Sequence, residues 1–245
     1  MITLKKTSVL FVLMASFLTV YSQGDPKPTE VWEPVPAIVT PGVGTSAPSD
    51  AIVLFDGTNL DQWKNNNGGK VKWIVKDDIL TVKPGEGAIN TNKEFSDCQL
   101  HIEWRTPVIV TGESQGRGNS GIFLQGRYEL QVLDSYENIT YSNGQAGSIY
   151  KQQMPLVNAC RKPGEWQAYD VIFTAPRFNE DGSLKSPAYI TVLQNGILVQ
   201  NHYELKGSTE YIGQPSYKKH PLQQPLMLQE HGNDVSYRNI WIREL

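Results

Sequence analysis

The chain has 245 residues, with 22 Lys and Arg set against 25 Asp and Glu and a formal net charge of −3. Charge this sparse and balanced offers no basic field for a phosphate backbone, so nucleic acid is not an expected partner. One residue in ten is aromatic, including six Trp, which suits a sandwich core or a cleft that stacks sugar rings.

Along the chain, "MITLKKTSVLFVLMASFLTVYSQG" places Lys5 and Lys6 before an apolar run over residues 9–20 and then small, polar residues. This is the three-part pattern of a secretory signal peptide over residues 1–23, and the run is too short for a stable membrane span. The mature chain is expected in the periplasm or outside the cell. Residues 24–50 are rich in Pro, Gly, Ser and Thr and lack periodicity, as in a linker or a strap pinned by Trp32 and Val39. One folded domain is then expected over residues 51–245.

Strand signals recur inside that domain. "KWIVKDDILTVK" (72–83) reads as a hairpin turning at Asp77 and Asp78. "CQLHIEWRT" (98–106) alternates Cys98, Leu100, Ile102 and Trp104 against Gln99, His101, Glu103 and Arg105. "NSGIFLQGRYELQVLDSY" (119–136) is a pair of strands joined at Gln125-Gly126-Arg127. "WQAYDVIFTA" (166–175), "AYITVLQNGILVQN" (188–201) with its Asn195-Gly196 turn, "PLMLQEHG" (225–232) and "SYRNIWIREL" (236–245) complete the series. No stretch of ten residues follows a helical period. Many short strands with turns between them predict an all-β fold, a jelly-roll β-sandwich. Cys98 and Cys160 are too few for a disulfide framework, and no CxxC or HExxH spacing marks a zinc site. Cys98, on an apolar strand face, reads as a buried thiol; whether the two cysteines pair stays open.

Three strands set a polar face behind a dry one: His101-Glu103-Arg105, Arg127-Glu129-Gln131 and Gln229-His231. Any one of these could be a solvated face with cross-strand ion pairs. Carboxylates, amides, Arg and His repeated on three strands instead suit a ligand dense in hydroxyls, bound in a groove.

"LFDGTNLDQW", "GNSGIFLQGRYELQVLDSY", "GEWQAYDVIF" and "PLMLQEHGNDVSYRNIWIREL" together resemble the 3-keto-disaccharide hydrolase family, over essentially the whole of residues 51–245. The resemblance implies a jelly roll of the concanavalin A-like lectin and glucanase type. It also implies export by glycan-degrading bacteria and action on glycosides whose sugar C3 is a ketone. A C3 ketone acidifies the C2 proton, so a base can remove it, the enolate can expel the C1 substituent, and water can add to the enone. Such chemistry needs a base, an acid and a stabiliser for the enolate oxygen. His231, Glu103 and Glu129 are the candidate catalytic groups, His231 first because imidazole titrates near working pH. Asn119, Arg127, Gln131 and Gln229, and less centrally Asp134 and Lys151 at strand ends, are the candidate substrate-binding groups. Base and acid are not distinguished at this level.

Two alternatives stand beside this one. An ordinary glycosidase would use Glu103 and Glu129 as its carboxylate pair, but the closely spaced acids of the similar glucanases are absent. A non-catalytic carbohydrate-binding module would need no convergent His and Glu. No cofactor is expected. Calcium is the one metal that loop acids such as Asp56, Asp77 and Asp134 could hold, though no ligand loop is legible.

Overall fold

The computed structural model describes residues 27–245, so the expected signal peptide lies outside the described residues. Among those described, no helix is long and apolar enough to cross a membrane. The described chain divides into two units between Ile38 and Val39. In the first, the described residues form one short 3-10 turn at Lys27–Thr29 followed by irregular chain, in which the Trp32 indole donates to Glu30.

The second unit begins ahead of the expected Ala51. It contains β1 (Ile52–Phe55), β2 (Trp63–Asn65), β3 (Ile74–Lys76), β4 (Ile79–Thr81), β5 (Ile89–Phe95) and β6 (Cys98–Arg105). There follow β7 (Ser120–Leu124), β8 (Tyr128–Val132), β9 (Gln167–Thr174), β10 (Arg177–Phe178) and β11 (Leu184–Ser186). The last four are β12 (Tyr189–Gln194), β13 (Ile197–Glu204), β14 (Gln224–Leu228) and β15 (Ser236–Glu244). One antiparallel sheet runs β13-β12-β9-β6-β15-β4-β3, with β1 sharing the β4 edge of β15; a second runs β2-β5-β14-β7-β8. A short β10-β11 ribbon stands apart from both. The protein is a jelly-roll β-sandwich.

Turn chemistry sets the hairpins. Asp77 and Asp78 have φ of 51° and 60°, and Asn195 and Gly196 have φ of 54° and 80°. Two consecutive left-handed residues make the tight hairpin turn whose twist matches that of the flanking strands. Alternation sets the core: Leu100, Ile102 and Trp104 from β6 meet Ile122, Leu130, Val132 and Leu228 from the facing sheet, all fully buried. Both cysteines are free thiols, and burial pushes Cys98 up to about 12 and Cys160 up to about 11.

Three buried tyrosines carry a phenol through this apolar layer and must find it a partner. From the eight-stranded sheet, Tyr169 donates to the Gln131 carbonyl at 2.8 Å, and the Tyr237 hydroxyl lies 2.6 Å from Ser120 Oγ. Tyr128, from the five-stranded sheet, donates to His220 Nε2 at 2.8 Å, because His220 Nδ1 is committed to the Pro221 carbonyl. The first two bonds tie β8 and β7 of the second sheet to strands of the first.

Candidate active site

The outer face of the five-stranded sheet holds a cleft of about 530 Å³. Its floor is built by strand parity. On β8, Tyr128, Leu130 and Val132 point inward, which turns Glu129 and Gln131 outward. Phe123 of β7, Asn119 just before it, and Gln229 and His231 just after β14 join them. Ser120 and Gly121 pair directly with Val132 and Gln131. A Cβ on Gly121 would lie 2.6 Å from Glu129 Oε1, so this glycine supplies the space that the carboxyl occupies.

The walls come from loops. β8 ends the five-stranded sheet, and its free edge is covered by residues 147–153. Gln131 N donates to the Ser148 carbonyl, and Tyr150 N to the Glu129 carbonyl. This brings Tyr150 beside Glu129 and Lys151 into the cleft wall. A second loop is fastened by Glu129 N to Thr209 Oγ1 at 3.0 Å and by Thr209 N to the Arg127 carbonyl at 2.9 Å. Lys151 Nζ donates to the Tyr211 carbonyl at 2.6 Å and sits 4.2 Å from that ring's centre. The Tyr141 and Tyr150 hydroxyls are 2.6 Å apart.

The electrostatics are unusual for a carboxylate. Glu129 is only 5 % exposed, and burial pushes its carboxyl up to about 8, with no cation offsetting the desolvation. Turned with Nε2 toward the carboxyl, Gln131 donates to Glu129 Oε1 at 3.2 Å and to the Ser120 carbonyl at 3.0 Å. Burial also raises the phenols of Tyr141 and Tyr150, so both stay protonated well past neutral pH, one donating to the other and the second hydroxyl keeping its hydrogen for another acceptor. Gln229 Oε1 is buried with no partner among the described residues, an acceptor that a ligand hydroxyl would satisfy.

A family model described as a 3-keto-alpha-glucoside-1,2-lyase-like domain matches residues 50–243. The chain belongs to this family. Among relatives of this 3-keto-glucoside lyase-like domain is a Bacteroides thetaiotaomicron protein named 3-keto-disaccharide hydrolase. It is 24% identical over 79% of this chain and 78% of its own length. A crystal structure of a candidate glycosyl hydrolase from Parabacteroides distasonis superposes with a TM-score of 0.86 at 56% identity, covering 89% of this chain and 96% of that one. A second such structure from the same organism has a TM-score of 0.58 at 23% identity over 80% and 94% of the two chains, and shares the fold.

Within this lyase-like domain the cleft unites Glu129, His231, Asn119, Gln131, Gln229 and Lys151 from the residues expected at the site. Three others stand elsewhere. Glu103 lies on β6, in the opposite sheet, and faces away from the cleft across the core. Its carboxylate takes Arg238 Nε at 2.6 Å, Asn239 Nδ2 at 2.9 Å and Thr45 Oγ1 at 3.0 Å. Burial would raise Glu103, but those hydrogen bonds outweigh it and hold the group below the usual carboxylate range. Asp134 pairs with Arg117 Nε at 2.7 Å and lines a neighbouring cavity. Arg127 sits in the β7–β8 turn, where its charge is felt at Tyr128 and His220. Nor do the loop acids come together: Asp56 accepts from Thr58, Asp77 occupies a hairpin turn and Asp134 has its arginine. Among the described residues no three His, Cys, Asp or Glu side chains group to hold a metal.

The Glu103 cluster has a structural role. Thr45 also receives the Trp241 indole N–H on its carbonyl at 2.9 Å, and Arg243 pairs with Asp50 at 2.6 Å. The stretch from Val39 to Asp50 is thereby held on the outer face of the eight-stranded sheet. Glu103→Gln is expected to cost about 1–3 kcal/mol of stability at pH 7, the value of charge-assisted bonds lost at a mostly buried site. Because the folded state holds Glu103 below 4.5, its contribution is present above that pH and lost as pH falls through the lowered value. Thermal melts of wild type and variant should differ at pH 7 and converge in acid, with turnover changed less than a few-fold. A loss of turnover as large as that expected for the cleft residues would return Glu103 to the chemistry.

Proposed function

We propose that this protein cleaves 3-keto-glycosides by removing the C2 proton, eliminating the C1 substituent and hydrating the resulting enone. As a member of its family the chain is a glycoside-cleaving enzyme. The observation that supports the eliminative route is that, among the described residues, Glu129 is the one carboxyl lining the cleft. It stands with an exposed histidine in place of the paired carboxylates of a direct glycosidase, and burial holds it up to about 8. Below that pH it keeps its proton and can donate it to a departing oxygen.

In this scheme His231, at the cleft rim, takes the C2 proton. The electron pair delocalises onto the C3 oxygen, where donors among Asn119, Gln229 and Lys151 stabilise the enolate while Gln131 holds the Glu129 carboxyl. Collapse of the enolate forms the C1–C2 double bond and breaks the bond from C1 to the leaving oxygen, which takes the Glu129 proton. Water then adds hydroxyl to C1 and a proton to C2, which restores the 3-keto sugar without net oxidation. A glycosidase using Glu103 and Glu129 is disfavoured, because the core separates their sheets. The N-terminal pattern supports the same work being done in the periplasm or outside the cell.

The test compares a 3-keto-glucoside with its unoxidised parent, in deuterated water. Only the keto substrate should be cleaved, and its sugar product should carry deuterium at C2. Cleavage with no label at C2 would overturn the eliminative route, and tight binding without turnover of either compound would favour a binding module.

A further inference from the structure

A second depression, of about 430 Å³, opens directly off the cleft and shares Tyr141, Tyr150, Lys151 and Tyr211 with it. We propose that it is the leaving-group subsite, that it takes a polyhydroxylated ring, and that Glu210 and Gln214 select for that ring. This rests on the cleft binding the 3-keto sugar and adds where the other half of the substrate lies.

Three observations carry it. First, continuity has a direction. The leaving oxygen must meet Glu129, and Glu129 is fastened to the two segments that bear the shared wall, through Tyr150 N to its carbonyl and its own N–H to Thr209. An aglycone on that oxygen emerges toward Tyr211. Second, the chemistry suits a sugar. Tyr211 is 71 % exposed, and its backbone is tied down by Lys151, so it offers a ready platform for a ring. Around it, the side chains of Asn143, Glu210 and Gln214 make no hydrogen bond among the described residues and are open to hydroxyls. Third, the competing cavity is built differently. On the other flank, a space of about 530 Å³ sets Val108, the 78 % exposed Ile109 and Val110 beside Asp234 and the already paired Arg117 and Asp134. It is divided from the cleft where Asn119 N donates to Asn233 Oδ1 at 2.6 Å. Among the described residues its lining includes no aromatic ring on which a sugar could stack, whereas the subsite beside Glu129 has Tyr141, Tyr150 and Tyr211.

The test uses the full chain, the double variant Glu210→Ala/Gln214→Ala, and the single variant Ile109→Ser. Substrates are a 3-keto-disaccharide with a hexosyl leaving group and the methyl 3-keto-glucoside. The double variant should raise KM for the disaccharide about tenfold, as expected for two lost hydrogen bonds, and leave the methyl compound within about twofold. Ile109→Ser should leave both unchanged. Equal effects of the double variant on both substrates, or discrimination that vanishes in Ile109→Ser instead, would overturn the assignment. Calorimetric binding of the unoxidised disaccharide and of methyl glucoside runs in parallel. If the wild type turns over neither keto compound, the functional reading fails, while a disaccharide advantage lost only in the double variant still supports the subsite. No advantage in the wild type overturns it.

Discussion

Glu129→Gln should lower turnover of a 3-keto-glycoside by two to four powers of ten, about the worth of one positioned acid, and at the same time make the protein more stable in mild alkali. The second effect follows from linkage. Folding raises Glu129 from 4.5 to about 8, so the folded state favours its proton more than the unfolded chain does. The contribution of that preference to stability is complete below pH 4.5 and is lost as pH rises through 8, at up to about 1.4 kcal/mol per unit between the two values. The amide has no proton to lose and does not follow this slope. Melts from pH 5 to 9 should therefore show the variant overtaking the wild type by a few kcal/mol at the alkaline end. Wild-type turnover should fall along a basic limb near pH 8, where the acid is lost. A variant that loses stability at pH 9 together with activity would show Glu129 to be a structural carboxylate.

His231→Ala should lose a comparable two to four powers of ten and leave the melting temperature unmoved. His231 is exposed at the end of the segment following β14 and lines the cleft, so it supports no core. Surface substitutions of this kind stay within about 0.5 kcal/mol. Solvent exchange at C2, followed by NMR in deuterated water, should slow by the same factor as product formation, because the same proton transfer limits both. Exchange at wild-type speed with cleavage lost would move His231 from the C2 proton to the leaving oxygen.

Strand parity was legible residue by residue. Leu100, Ile102, Leu130, Val132 and Leu228 are all buried, and Glu129 and Gln131 face the other way, as their alternation required. Parity says which face of a strand is dry but not which of two sheets the strand joins. Glu103 and Glu129 have identical local patterns, yet β6 lies between β9 and β15 while β8 ends the opposite sheet. That is decided by pairing partners distant in sequence. Arg127 shares the parity of Glu129 on paper, but it falls in the turn, where strand geometry lapses. Tyr141, Tyr150, Thr209 and Tyr211 come from loops with no period to betray them. Gly121 had a visible signal in the small residues of "GNSG", although nothing there indicated that the space was for a carboxyl.

The phenols of Tyr169 and Tyr237 give the sandwich a property that an all-hydrocarbon core would lack. Apolar contacts pack closely but carry little directional preference, whereas each of these oxygens specifies a separation and an angle. The atoms they grip are the carbonyl of Gln131 and the hydroxyl of Ser120, immediate neighbours of the groups that would touch a sugar. The far sheet thus works as the jig in which the cleft-bearing sheet is held to tolerance.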